Sequence, residues 1–248
     1  MSSPMTRRTV LVSGLLAAIL AGASGCAQDG TRGPGAPGTA QGSPSATPGP
    51  VKGSTVLNEQ LLQAAAAGDA AAVREAVNEG ADLEARNGQR RTALLLAASA
   101  DHVEVAQILV AAGADPDALD FQHDTPWLVT GVTGSVAMMR ALLPAKPDLT
   151  IRNRYGGISL IPACERGHVD YVREVLKTGI NVDHVNDLGW TGLLEAVILG
   201  DGSAPYQEIV RLLLAAGADR GLADKDGVTA LEHAVQRGQK EVAAILRG

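Results

Sequence analysis

The residues in this 248-residue chain whose types could do chemistry are five histidines, two cysteines and one close run of aspartates. A metal site wants ligand pairs at short spacing, within one turn or on one helix face. His102, His123, His168, His184 and His233 offer no such pair. His102-Val103-Glu104 has the order of a zinc ligand beside a general acid–base, but that kind of site also needs Pro-Cys-x-x-Cys. The only cysteines are Cys26 and Cys164. Asp115, Asp117 and Asp120 lack the glycine and closing glutamate of a calcium loop and read as a polar turn. No Gly-rich phosphate loop and no Gly-x-Ser-x-Gly turn is present. The sequence therefore predicts no enzyme, no metal and no cofactor. Cys164, at a small apolar position of a helical stretch, reads as a buried, inert thiol.

Cys26 has a different setting. Arg7 and Arg8 precede an apolar run from Val10 to Ala23, and Ala23-Ser24-Gly25-Cys26 follows. The run is roughly 14 residues, too short for the ~20 that cross a membrane, and has the form of an export signal. The tetrapeptide resembles the lipobox of bacterial lipoproteins, with Ala23 standing where Leu is commonest. That resemblance implies a signal peptide over residues 1–25, diacylglycerol on the Cys26 thiol, and Cys26 as the new N-terminus. Two or more acyl chains make a stable anchor, each buried CH₂ contributing about 0.8 kcal/mol. The expected place is the bacterial envelope, on the outer side of the cytoplasmic membrane or on another envelope membrane. An ordinary signal cleaved near Ala23 is the alternative. Thr6-Arg7-Arg8-Thr9-Val10-Leu11 is similar to a twin-arginine signal and equally to a generic basic region, so the export route stays open. Residues 27–53 hold seven Gly, five Pro and two Ser without apolar periodicity. With Cys26 and Ser54 they read as a disordered linker over 26–54, a coil whose ends lie roughly 30 Å apart.

From residue 55 onward the chain repeats. Gly80, Gly113, Lys146, Gly179 and Gly217 mark one recurring phrase at steps of 33, 33, 33 and 38. Thr92, Thr125, Ile158, Thr191 and Thr229 keep the same rhythm, each with an Asn or Asp five residues earlier (Asn87, Asp120, Asn153, Asn186, Asp224). Nine residues after each comes Asp101, Gly134, Gly167, Gly200 or Gly238. The extra five residues fall between Gly200 and Gln207 as a surface insertion. The Asx residue favours a tight turn, and Gly156, Gly189 and Gly227 supply positive φ there. The Thr hydroxyl caps a helix, and the later Gly ends it. A second, antiparallel helix follows. One such unit cannot cover its own apolar face, and stacking solves that.

Gly189-Trp190-Thr191-Gly192-Leu193-Leu194-Glu195-Ala196 and Gly227-Val228-Thr229-Ala230-Leu231-Glu232-His233-Ala234 resemble the Gly-x-Thr-Pro-Leu-His-x-Ala phrase of ankyrin repeats. The resemblance implies an all-α solenoid of about six helix-turn-helix units with β-hairpin-like fingers, at roughly 57–86, 87–119, 120–152, 153–185, 186–223 and 224–248. The His of that phrase is missing throughout, replaced by Leu95, Leu128, Ile161, Leu194 and Glu232. The third unit, with Lys146 between Pro144 and Pro147, is expected to be the least regular, and the terminal units to act as caps.

The same resemblance implies a protein-holding concave face built from finger tips and first helices. Its candidate contacts are Gln89, Arg91, Phe121, Gln122, Arg154, Tyr155, Leu188 and Trp190, with Asp124 beside them. Exposed aromatics and Arg are common interface anchors. Trp127 reads as core, Tyr171 and Tyr206 as packing residues, and Arg90-Arg91 as a solvated finger. The net charge is −6, and −8 without residues 1–25, so nucleic acid is not an expected partner. No small-molecule substrate is expected. The sequence reads as an exported, lipid-anchored module that binds a protein, with a structural or stress-protective envelope component as the alternative.

Overall fold

The computed structural model describes residues 54–248. The expected export signal, Cys26 and the expected linker through Gly53 lie outside the described residues. Among the described residues twelve α-helices follow one another as six antiparallel pairs. They are α1 Thr55–Ala67 with α2 Ala70–Asn78, α3 Ala93–Ser99 with α4 Val103–Ala111, and α5 Pro126–Thr133 with α6 Val136–Leu142. Then come α7 Leu160–Glu165 with α8 Val169–Val175, α9 Gly192–Ile198 with α10 Ala204–Ala215, and α11 Ala230–Gln236 with α12 Lys240–Arg247. The first helices pack in one row and the second helices in another. The described residues form no strand, only an isolated bridge between Ala223 and Thr229. The hairpin-like fingers are tight turns without paired strands.

Local chemistry sets the first helices. Thr92, Thr125, Thr191 and Thr229 accept from the backbone N–H three residues on, and Thr229 with Glu232 closes a reciprocal capping box. Ile158 has no hydroxyl to offer. The chain at Ser159 is already helical (φ −57°, ψ −26°), makes no side-chain cap, and α7 is the shortest helix at six residues. Pro162 is its third residue, where an N–H would have no partner within the helix. Gly200 does not end α9 as expected: Leu199 does, and the left-handed conformation falls at Gly202 (φ 76°). Gly200 is small for a different reason, because a Cβ there would lie 2.1 Å from the Ala196 carbonyl oxygen and 2.5 Å from the Tyr206 ring. The inserted residues are not wholly a loop. Ala204, Pro205 and Tyr206 form an extra first turn that lengthens α10 to 12 residues. Irregularity is shared by two units, since both α6 and α8 finish in 3₁₀ turns, at Leu143–Ala145 and Leu176–Thr178.

Between pairs the core is Leu, Ala, Val and Ile, with Trp127 and Tyr171 the large rings fully enclosed. Burial raises the Tyr171 phenol to about 12, and its hydroxyl sits 2.7 Å from Thr130 Oγ1. Polar staples join neighbours. His102 Nε2 meets the Ala66 carbonyl, His168 Nε2 the Val132 carbonyl, Tyr206 Oη the Glu165 carbonyl and Gln239 Nε2 the Val197 carbonyl, at 2.9 to 3.2 Å. On the opposite edge, side chains of Glu84, Asp117 and Asp183 accept from the N–H of Asp115, Asp148 and Asp219 in the next unit, and Asn58 accepts from the Asp82 N–H within the first unit. At the C-terminal end Glu232 occupies the position of buried Leu95, Leu128, Ile161 and Leu194, which lets the last pair meet water.

Candidate protein-binding surface

Each finger is a short turn organised by one Asx side chain. Oδ1 of Asn87 accepts from the N–H of Gln89 and Arg91, and Asp120, Asn153, Asn186 and Asp224 repeat the pattern at 2.7 to 3.0 Å. The backbone N–H of each Asx bonds the carbonyl four residues on. This geometry needs positive φ two residues before the capping position. Gly156, Gly189 and Gly227 provide it, whereas Arg90 (φ 61°) and His123 (φ 59°) adopt it against the Cβ penalty. A left-handed L-residue costs about 1–2 kcal/mol, partly offset by the greater chain entropy that Gly loses. His123→Gly is therefore expected to raise stability by about 0.5–1 kcal/mol in urea denaturation; an unchanged or lower midpoint would contradict the strain.

The fingers are tied side by side. Phe121 N–H donates to the Gln89 carbonyl at 3.2 Å, and Asp187 N–H to the Tyr155 carbonyl at 3.0 Å. Arg91 Nε bonds Asp120 Oδ2 at 3.0 Å, Arg154 faces Asp124 at 3.7 Å, and Lys225 Nζ donates to the Asp187 carbonyl. Burial, with Asp120 alongside, pushes the Asp124 carboxyl above its ordinary pKa.

On this frame the candidate contacts divide. Phe121, Tyr155 and Leu188 are 61%, 59% and 53% exposed, and Gln89, Gln122 and Arg154 are exposed beside them. Trp190 is half-buried against the core, and Arg91 is half-buried in its bond to Asp120. Arg90 lies over the Phe121 ring at 5.7 Å and Arg154 over the Tyr155 ring at 4.7 Å. Phe121, Tyr155 and Leu188 thus form a row of apolar tips on three consecutive fingers.

Four of the histidines have structural partners. Besides the two staples, His184 Nε2 meets the Gly156 carbonyl at 2.7 Å and His233 Nε2 meets Asp224 Oδ2 at 2.7 Å. His123 is exposed on its finger. Cys164 is fully buried, and desolvation drives its thiol well above the usual range, so it is not a thiolate at neutral pH.

Comparison with known proteins agrees with this geometry. A family description, ankyrin repeats in three copies, matches residues 61–153 and 127–220. The chain belongs to the ankyrin-repeat family. A putative ankyrin repeat protein, YahD, of Escherichia coli K12 is 42% identical over 191 residues, covering 77% of this chain and 95% of the relative. A crystallised ankyrin repeat domain from Acinetobacter baumannii is 46% identical with a TM-score of 0.73, covering 75% of this chain and 95% of that one. The ankyrin repeat domain of Bcl-3, a member of the IkappaB family, is 31% identical with a TM-score of 0.70, covering 79% and 86%. Ankyrin stacks generally mediate protein–protein interaction. The sequence reading missed one polar feature of this one, the bond from Asn186 Nδ2 to Glu195 Oε1 at 2.8 Å. Its only sequence signal is a Glu on the first helix, nine residues after the Asx, where His233 reaches Asp224 in the next unit.

Proposed function

We propose that this protein is a non-enzymatic binding module that holds a protein partner on its ankyrin fingers, and that lipid on Cys26 tethers it to the outer side of a bacterial envelope membrane. The row of exposed Phe121, Tyr155 and Leu188 carries the first part. Large apolar side chains held out by rigid turns give up little conformational entropy when a partner covers them, and so can act as anchors. Asn186 Oδ1 holds the N–H of both Leu188 and Trp190, which fixes the turn that presents Leu188. The second part rests on Arg7, Arg8, the apolar run and Ala23-Ser24-Gly25-Cys26.

Two measurements test the reading. The full-length protein, used to capture partners from envelope extract, is expected to retain one stoichiometric protein. Phe121→Ala with Tyr155→Ala should weaken that complex by about 2 kcal/mol or more, roughly thirtyfold. Undiminished binding by the folded double variant would move the site elsewhere. Separately, incorporation of radioactive fatty acid in growing cells should vanish in Cys26→Ala, and label persisting in that variant would remove the anchor.

A further inference from the structure

Charge on the finger edge runs against charge on the rest of the molecule. Residues 54–248 contain 17 Lys and Arg against 26 Asp and Glu, a net −9. The first three fingers, residues 86–91, 119–124 and 152–157, instead contain five Arg and two Asp. Both aspartates are occupied: Asp120 is buried against Arg91, and Asp124 is mostly covered beside Arg154. Solvent on this edge therefore meets guanidinium groups. Arg90 and Arg152 are exposed and make no ion pair among the described residues. Arg90 and Arg154 also lie over the rings of Phe121 and Tyr155. A guanidinium on an aromatic face keeps its N–H fork in its own plane, ready for a carboxylate, and the ring limits the rotamers that binding must freeze.

We propose that the first three fingers recognise an acidic peptide segment of the partner, with its carboxylates on Arg90, Arg152 and Arg154 and an apolar side chain against Phe121 or Tyr155. The proposal rests on the finger reading above and names the chemistry of the ligand. Phosphate polymers fit less well, because the surrounding surface is acidic and would repel a long polyanion, whereas a short segment with a few carboxylates reaches only the basic tips.

A phage-displayed library of random dodecapeptides, selected on the full-length protein, supplies the probes. Enriched peptides are expected to carry several Asp or Glu around an aromatic or large aliphatic residue. Synthesised and measured by fluorescence anisotropy, they should bind about tenfold or more weakly to Arg90→Glu/Arg154→Glu. Affinity should also fall as salt rises from about 50 to about 300 mM. Circular dichroism should match the parent, since both arginines are exposed. Neutral or basic peptides that still depend on Phe121 and Tyr155 would overturn the acidic ligand while leaving the finger site standing. Peptides indifferent to all four substitutions would overturn the finger site itself. Displacement of a selected peptide by a single-stranded oligonucleotide at equal concentration would overturn the peptide assignment.

Discussion

Gly131→Ala is expected to destabilise the stack by about 3 kcal/mol, although the same exchange in an ordinary helix gains about 1 kcal/mol. Gly131 is buried in α5, and a Cβ built on it would lie 1.9 Å from the Ser159 carbonyl oxygen and 2.7 Å from the carbonyl carbon. The obstacle is backbone, not the end of a mobile side chain, so α5 and the start of α7 must separate. Position alone does not demand glycine. Ala98, Cys164 and Val197 are buried at the corresponding sites of their units, so three of the other first helices take a side chain there. The difference lies in the next unit, where Ile158 stands in place of the capping Thr and the Ser159 carbonyl comes up against α5. Only Gly131 fits beneath that carbonyl. Thermal denaturation followed by circular dichroism should show a midpoint lower by roughly 6–12 °C, since a domain of this size moves about 2–4 °C per kcal/mol. A stack is held by nearest-neighbour interfaces, so weakening one between the third and fourth units should also broaden the transition or split it. A midpoint equal to or above the parent's would refute the close approach.

The parts of this fold that could be read in the sequence are those written in local backbone chemistry. A Thr that caps, an Asx that closes a turn five residues earlier and a Gly with positive φ recur because each unit solves the same local problem. The six pairs follow from their spacing. The joints between units were less legible, because His102, His168, Tyr206 and Gln239 do one task with three residue types across 36 to 42 residues. No short pattern encodes a bond that any long donor can make. Gly200 misled for a related reason: it matches the rhythm, but the insertion moves the left-handed residue to Gly202 and leaves Gly200 serving a close contact. At the candidate site, turn position identified the residues on the fingers. It did not separate exposed Phe121, Tyr155 and Leu188 from half-buried Trp190, because that depends on which neighbouring unit the side chain falls against.

Glu195 gives the second large effect, a stability that declines from weakly acidic to neutral pH. Its side chain is buried in α9, with Oε1 accepting from Asn186 Nδ2 and Oε2 without a hydrogen-bond partner among the described residues. Desolvation, and then the Glu165 carboxylate, raise its pKa from 4.5 to about 7, with the Asn186 bond opposing them. Between those two values the folded chain holds a proton that the unfolded chain has released. Stability from this group is thus complete below about pH 4.5, falls as pH rises, and levels off above about pH 7. The total is about 3 kcal/mol, at 1.36 kcal/mol for each pKa unit. Glu195→Gln keeps an oxygen for Asn186 and removes the titration. Subtracting the variant's urea-denaturation free energies from the parent's cancels carboxyls common to both, including Glu84, Asp117 and Asp124, whose pKa values burial also raises. The difference should slope downward from pH 5 to pH 7, leaving the variant the more stable protein at pH 8. A difference that is flat across that window would mean that the Glu195 carboxylate is solvated in the native state. Asn186 ties this titration to the candidate site, because its amide nitrogen bonds Glu195 while its oxygen holds the finger that carries Leu188 and Trp190. Ionising Glu195 therefore strains the stack beneath one of the proposed anchors.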